Sequence, residues 1–411
     1  MSRKVLISFI GTGRLCDKDS SRQYDTLKYS FPNSARHIET PFVASALGQF
    51  LTIDTYLLFG TMHSSWEMVY QYFAKKKDCF EDIDYAIRLF DEAKQANSQT
   101  PLSRELFKQI EDLLGNESQI IPIYYGLNQD EIQENFQIFV DALDKLKDGD
   151  IIYIDITNSF RSLPLFANTA ISFIQDVVNK KISIGGIFYG MMEAKNEFDN
   201  VTPIIDLSYI SDIQHWIKGS YAFRILGDGH YIADLLREKN KTTAEKIEQF
   251  TYVLSMNFIH EIKTQINILT SLASEAFSLP EKLILPKVFK EFSRRFAGLK
   301  NQSDYQFELS LWHKENKKYG LAYLCLIESI VTFVCEQEGK DTTSITEREC
   351  IKKQIKNKAK YADVYSILKE AKIIRNSTAH LCGKNAQKAK DAVKALDGYQ
   401  VAFKKIITNK P

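Results

Sequence analysis

Six short apolar runs constrain this chain more than any other feature of it: "KVLISFIG" (4–11), "TIDTYLLFG" (52–60), "QIIPIYYG" (119–126), "IIYIDITN" (151–158), "ISIGGIFYG" (182–190) and "TPIIDLS" (202–208). They are too short for helices and rich in the β-branched and aromatic residues that fit a pleated surface. Several are apolar at consecutive positions rather than alternate ones, as in strands covered on both faces. Helical signals fill the gaps. "DEIQENFQIFVDALDKL" is amphipathic and stops at the turn "KDGD". Thr40-Pro41 and Thr100-Pro101 each read as an N-cap followed by proline at the first helical position, and Ser64 with Glu67 has capping-box spacing ahead of "WEMVYQYF". Strand and helix in alternation predict a doubly wound, mostly parallel α/β sheet.

Beyond about residue 208 the strand signals stop. Long helical patterns such as "EKIEQFTYVLSMNFIHEIKTQINIL" and "YGLAYLCLIESIVTFVCEQ" predict an all-α second half, divided near "AGLKNQSD" (297–304). The expected organisation is an α/β domain over 1–208, a helical linker region over 209–300 and an all-α domain over 301–411. No apolar run reaches the roughly 20 residues of a membrane helix, and "VLISFIGTG" lacks a cleavage pattern after it. A cytoplasmic protein with no membrane partner is expected. The six cysteines (16, 79, 325, 335, 350, 382) are scattered, with no Cys-x-x-Cys pair, which predicts buried thiols and no metal site. A net charge of +1 hides an asymmetry: residues 351–411 carry 15 Lys and Arg against 4 Asp and Glu. That is either a face for a polyanion or a solvated lysine surface.

In an open parallel sheet, ligands bind beyond the carboxyl ends of the strands. Those ends read Gly11-Thr12-Gly13-Arg14, Gly60-Thr61-Met62-His63-Ser64, Gly126-Leu127-Asn128, "DITNSFRSLP" (155–164) and Tyr189-Gly190-Met191-Met192-Glu193. Glycine lets backbone N–H groups approach a ligand, a following helix N-terminus favours anions, and Arg161 can hold a phosphate with two hydrogen bonds. The set suits a nucleotide with several phosphates. Taken singly, Asp155 reads as a turn cap and Arg161 as a solvated cation before either reads as a ligand residue; the strand-end loops together reverse that order. A Rossmann-type oxidoreductase is a further alternative, but it would need a dinucleotide fingerprint that is absent: the third glycine is missing, and no acidic residue closes the second strand to take a ribose.

"DITNSFRSLP" resembles the second signature of the CARF domain, the Rossmann-like ligand sensor of CRISPR systems, whose pattern is Asp-x-Thr-x-(small/aromatic)-x-Arg followed by Pro. "SFIGTG" resembles that domain's first-strand loop, and "GTMHSSW" the segment after its second strand. The resemblance covers about residues 1–208. It implies a homodimer, or a higher oligomer built on one, that binds a cyclic oligoadenylate activator across its two-fold axis, the tetra-adenylate being the expected ring. The residues implied are Gly11, Thr12, Gly13, Arg14, His63, Ser64, Asp155, Thr157, Asn158, Ser159, Phe160, Arg161, Tyr189 and Gly190. Asn158 stands where relatives often carry His, which leaves open whether the activator is cleaved.

Near the end, "IIRNSTAHLCGK" (373–384) sets Arg375 five residues before His380. The pair fits the Arg-x(4–6)-His signature of HEPN ribonucleases; the bland alternative is a surface arginine and a helix-capping histidine. Residues five apart on a regular helix point about 140° apart. The expectation is therefore that Arg375 precedes a helix capped by Asn376 or Ser377, with His380 on its first turns, both near a positive helix end. An imidazole moves protons near neutral pH, a guanidinium stabilises a phosphorane, and RNA brings its own 2′-hydroxyl nucleophile. The expected catalytic set is Arg375, Asn376 and His380, cutting single-stranded RNA with no metal or other cofactor. The Lys352–Lys360 run would track the backbone, and Tyr361 and Trp312 read as core residues before base-stacking ones. Of the other histidines, His63 alone is a ligand candidate; His37, His215, His230, His260 and His313 read as structural. A nucleotide-responsive regulator that binds nucleic acid without cutting it is the alternative function.

Overall fold

The computed structural model describes residues 2–15, 22–23, 25–158, 162–379 and 386–408. The chain forms two compact units, Met1–Ser211 and Asp212–Pro411.

Among its described residues the first unit holds ten strands: β1 (Lys4–Phe9), β2 (Arg14–Leu15), β3 (Arg22–Gln23), β4 (Leu27–Ser30), β5 (His37–Thr40), β6 (Thr55–Gly60), β7 (Gln119–Pro122), β8 (Ile151–Asp155), β9 (Ser183–Gly190) and β10 (Val201–Asp206). Eight of them form one sheet in the order β5-β4-β10-β9-β8-β1-β6-β7, and β2 and β3 pair separately. β9, β8, β1, β6 and β7 are mutually parallel; β10 runs antiparallel to β9, and β5 antiparallel to β4. The six expected strands are all present, each trimmed at an end, and the α/β reading holds.

Alternation of side chains along β1 explains the two layers. Val5, Ile7 and Phe9 pack with Phe139, Ala142 and Leu143 of the helix Gln129–Asp144 and with Ala167, Ala170 and Ile171 of the helix Leu163–Asp176. Leu6 points the other way, into a core with Val43, Leu47, Trp66, Val69, Phe73 and Phe107. Phe59 and Phe139 stack with centroids 4.2 Å apart. Burying each such side chain is worth about 1.5–3 kcal/mol, which fixes the sheet and hence the strand-end loops.

Three expected helix starts are displaced. Phe42, not Thr40, is the N-cap of the helix Val43–Leu51. Thr40 ends β5, and its hydroxyl accepts from the Phe42 N–H at 3.3 Å. Pro101 lies outside helix; the first turn there is the 3₁₀ segment Glu105–Phe107, leading into Lys108–Leu114. Ser65 is the N-cap of Trp66–Lys76, because the Ser64 hydroxyl is already committed to the Ile10 carbonyl at 2.7 Å. Tertiary bonds outcompeted local caps.

From Ser208 onward every described element is helical. Two cores organise the second unit. One gathers Trp216, Phe223, Phe250, Phe289, Phe292 and Trp312; the other gathers Phe307, Leu326, Ile330, Leu368, Leu396 and Phe403. The helix Tyr319–Gln337 is long and apolar enough, by length and composition alone, to cross a membrane, which the sequence reading had not anticipated. Here its Leu326, Ile330 and Val334 are fully buried in the bundle. Cys325 and Cys335 are buried as expected, but Cys79 and Cys350 are exposed.

Candidate functional site

β1 continues to β6 and β7 on one side, after which the chain crosses to β8 on the other. The crevice beyond the carboxyl ends of β1 and β8 is therefore the switch point of the sheet, where ligands bind in open α/β folds. A cavity of about 590 Å³ lies there. Its walls come from Ile10–Gly13 after β1, Gly60, Thr61 and Ser64 after β6, and Thr157 and Asn158 after β8. Met192, Glu193 and Lys195 after β9, Asp25, Leu27 and Tyr29 along β4, and Pro41 and Leu163 complete it.

Hydrogen bonds beneath the cavity tie these loops to one another. Asp155, 1 % exposed, accepts from the Ser8 hydroxyl at 2.6 Å and from the Thr157 N–H at 2.9 Å. The Gly190 N–H donates to Thr157 Oγ1 at 2.8 Å, so the β8 and β9 loops move as one. The Ser65 N–H donates to the Gly11 carbonyl at 3.0 Å and the Ser64 hydroxyl to the Ile10 carbonyl at 2.7 Å, which ties the β6 loop to the β1 loop, while Trp66 Nε1 closes the β6 loop on itself by donating to the Thr61 carbonyl at 2.9 Å. Two glycines are demanded by this packing. A Cβ on Gly60 would stand 2.6 Å from Trp66, and Gly13 has φ +67°. Burial pushes the Asp155 carboxyl above the usual range, opposed by its bonds from Ser8 and Thr157. Burial also raises the Tyr29 phenol, with the Asp155 charge adding to it.

Of the expected ligand residues, Gly11, Thr12, Gly13, Ser64, Thr157 and Asn158 line the cavity together. Asp155 and Gly190 lie under it as supports. His63 turns away: its Nδ1 is 2.7 Å from the Ala93 carbonyl. The Tyr189 hydroxyl donates to Glu193 at 2.9 Å. Arg14 lies in β2, and Ser159, Phe160 and Arg161 fall outside the described residues. Gly126–Asn128 serve the next helix instead, Asn128 capping it through the Glu131 N–H at 2.9 Å. Asp25, Tyr29 and Lys195 were not foreseen, and Glu193, quoted within a strand-end stretch, was not singled out as a ligand residue. The alternation of Leu27, Tyr29 and Phe31 was the readable signal for β4.

The C-terminal motif departs from expectation. The helix Ala362–Ala379 runs unbroken through Arg375, Asn376 and Ser377, so no helix begins there. Val364, Ile367, Leu368 and Ala371 are buried on its inner face, and that packing overrides the capping preference of Asn376 and Ser377. Arg375 is consequently a mid-helix residue and not one that precedes a helix start. His380 lies outside the described residues. Part of the Lys352–Lys360 run is spoken for within the chain. Glu338 binds Lys358 and, at 2.7 Å, Lys360, and accepts from the Tyr361 hydroxyl at 2.8 Å. Tyr361 and Trp312 are core residues.

Residues 5–193 match the family model described as the CARF domain of the CRISPR system endoribonuclease Csx1, and residues 212–302 match the second domain of CRISPR-associated protein MJ1674. The chain is 34 % identical over 403 residues to CRISPR-associated protein MJ1674 of Methanocaldococcus jannaschii, covering 92 % of this chain and 62 % of that protein. It thus spans less than two thirds of that relative's length. Among solved structures, Enterococcus italicus Csm6 bound to cyclic hexa-2′-fluoro-hexa-dAMP aligns over 98 % of this chain and 93 % of its own, at 11 % identity and a TM-score of 0.39. With its switch-point cavity and the Asp155–Thr157 turn, the stretch 5–193 is similar to a CARF domain, and the chain is similar to a CRISPR-associated protein over most of its length.

Proposed function

We propose that this protein is a CRISPR-associated endoribonuclease of the CARF–HEPN kind that serves type III systems. Cyclic oligoadenylate, the tetra-adenylate by preference, switches it on from the CARF cavity. The observation that carries the reading is the convergence of Gly11, Thr12, Gly13, Ser64, Thr157 and Asn158 on one cavity at the sheet's switch point. Backbone N–H groups, hydroxyls and an amide in that number suit the phosphates and sugars of a nucleotide ring. The nuclease half of the proposal rests on Arg375 and His380 in the helical second unit, and on the endoribonuclease named for the family model that matches the first.

The chemistry follows from the groups. His380 transfers the proton of a 2′-hydroxyl or of the departing 5′-oxygen, while Arg375 stabilises charge on the phosphorane. Products are a 2′,3′-cyclic phosphate and a 5′-hydroxyl, DNA resists, and no metal is required. An activator that favours the cutting arrangement by a few kcal/mol suffices as a switch. RNase assays with and without cyclic oligoadenylate test this directly. Arg375→Ala or His380→Ala should abolish cleavage and leave activator binding intact, with EDTA harmless to the wild type. Full cleavage by His380→Ala, or strict dependence on a metal, would sink the mechanism. Activator-dependent nucleic-acid binding without any cleavage would instead favour a regulator.

A further inference from the structure

In the sheet, β8, β1 and β6 lie to one side of β9, and β10 and β4 to the other. The cavity beyond their ends therefore draws on two sets of residues with different chemistry. The loops after β1, β6 and β8 bring the N–H groups, hydroxyls and amide that suit phosphates. The other side, built by β4 and by the 3₁₀ turn Met192–Glu197 between β9 and β10, brings Leu27, Met192 and the carboxylate of Glu193. The turn is anchored at both ends. The Met191 N–H donates to the Pro203 carbonyl at 3.0 Å, and the Asn200 N–H to the Lys195 carbonyl at 2.9 Å. Glu193 is anchored as well: its Oε2 accepts from the hydroxyl of Tyr189 at 2.9 Å, and Tyr189 is set in β9 opposite Ile205 of β10.

A carboxylate repels phosphate and, when ionised, only accepts hydrogen bonds. What Glu193 can recognise in a ring of nucleotides is thus a donor. An adenylate ring carries two kinds: the 2′-hydroxyls of its sugars and the exocyclic amines of its bases. The neighbours decide between them. Met192, an exposed apolar side chain, stands next to Glu193 in the same wall, and a thioether packs well against the flat face of a base. Leu27 adds apolar surface to that wall, which a sugar hydroxyl would not call for. An amine donating to a carboxylate makes a charge-assisted bond, the stronger kind. Guanine carries an acceptor oxygen at the position of that amine.

We propose that Glu193, held by Tyr189, reads the exocyclic amine of an adenine laid against Met192 and Leu27. Glu193 is then a specificity-determining residue and Tyr189 a positioning one. The proposal rests on the reading of the cavity as a cyclic oligoadenylate site, and its test separates the two.

The full-length protein is titrated calorimetrically with two rings, cyclic tetra-adenylate and the same ring built from unsubstituted purine, which lacks only the amines. Glu193→Ala, Glu193→Gln, Tyr189→Phe and, as a control on the same turn but outside the cavity wall, Glu197→Gln are compared with the wild type. The wild type should bind the adenylate about tenfold or more tightly than the purine ring, the share of one hydrogen bond to a charged group. Glu193→Ala should bind the two rings alike, near the wild-type affinity for the purine ring. That cycle between side chain and ligand amine isolates the one contact. Glu193→Gln, which keeps an acceptor without the charge, should retain a smaller preference, and Tyr189→Phe should lose part of it. Glu197→Gln should discriminate as the wild type does. A wild-type preference left intact in Glu193→Ala overturns the proposal and leaves the activator reading standing, as does equal binding of both rings by the wild type. Equal loss of preference in Glu197→Gln overturns it too, since the charge of the turn rather than the contact would then be responsible. A wild type that binds neither ring overturns the activator reading, and the proposal with it.

Discussion

Asp155 and His313 show how single buried groups leave a signature in stability. The Asp155 carboxyl is held above the usual range by burial, so the folded chain binds its proton more tightly than the unfolded one. Its contribution is thus full at low pH and falls as pH rises through the interval between the ordinary and the raised value. Asp155→Asn should gain stability over wild type as pH climbs through that interval in urea titrations. A gain on lowering the pH would show that the anion, not the acid, is the native form. His313 has the opposite sign. It is 1 % exposed, neither ring nitrogen has a hydrogen-bond partner among the described residues, and burial lowers it to about 4. The unfolded chain takes up that proton first, so stability is lost as pH drops from about 6.5 toward 4, by roughly 3 kcal/mol at one pKa unit per 1.36 kcal/mol. His313→Leu should flatten that limb of the pH–stability curve; an identical limb in the variant would refute the assignment.

At the scale of elements, legibility followed burial on two faces. β1, β6, β7, β8 and β9 are covered on both sides, so their continuous apolar runs could be read directly. β5 is the edge strand and β4 its neighbour, each of four residues, and the brief Leu27, Tyr29, Phe31 alternation that marks β4 is overshadowed by the longer apolar runs. With β4 went Tyr29 and Leu27, which line the cavity. The strand-end glycines and hydroxyls were legible because their role is local backbone geometry. Glu193 and Lys195 were not, because they reach the cavity through a 3₁₀ turn between β9 and β10. The error at Asn376 has the same origin as that at Ser64: a good capping residue caps only if tertiary packing leaves it a helix end. The β6 loop offers a test. Gly60→Ala would drive a methyl into Trp66 and into Ser64 Oγ, 2.8 Å away. Overpacking of that kind costs about 1–3 kcal/mol, and the displaced Ser64 should weaken nucleotide binding too. Wild-type stability and affinity in Gly60→Ala would mean that the loop is looser than its bonds imply.

At the scale of the whole molecule, charge and symmetry set the expectations. The basic excess after residue 351 is partly internal: Glu338, drawn to about 2 by its bonds from Lys358, Lys360 and Tyr361, ties two of those lysines down. Under the proposed mechanism, one motif histidine per chain needs a second proton-transfer group, which a second copy across a two-fold axis, the commonest oligomer geometry, would supply. The cutting species should therefore scatter light as a dimer or larger at working concentration. A monomer that cuts at full rate would dispose of the composite site.

The division of labour around the cavity has one more consequence. Thr12, Asn158, Glu193 and Lys195 line the cavity from connections, whereas Ser8 and Asp155, set in strands, hold those connections from below. Recognition and architecture are thus encoded in different letters of the same short segments. A lineage carrying this sheet can drift from one signalling nucleotide to another by substitutions that leave the folding problem untouched. A library randomised at those four lining positions should come out largely folded and variously deaf, whereas one randomised at Ser8 and Asp155 should come out largely unfolded.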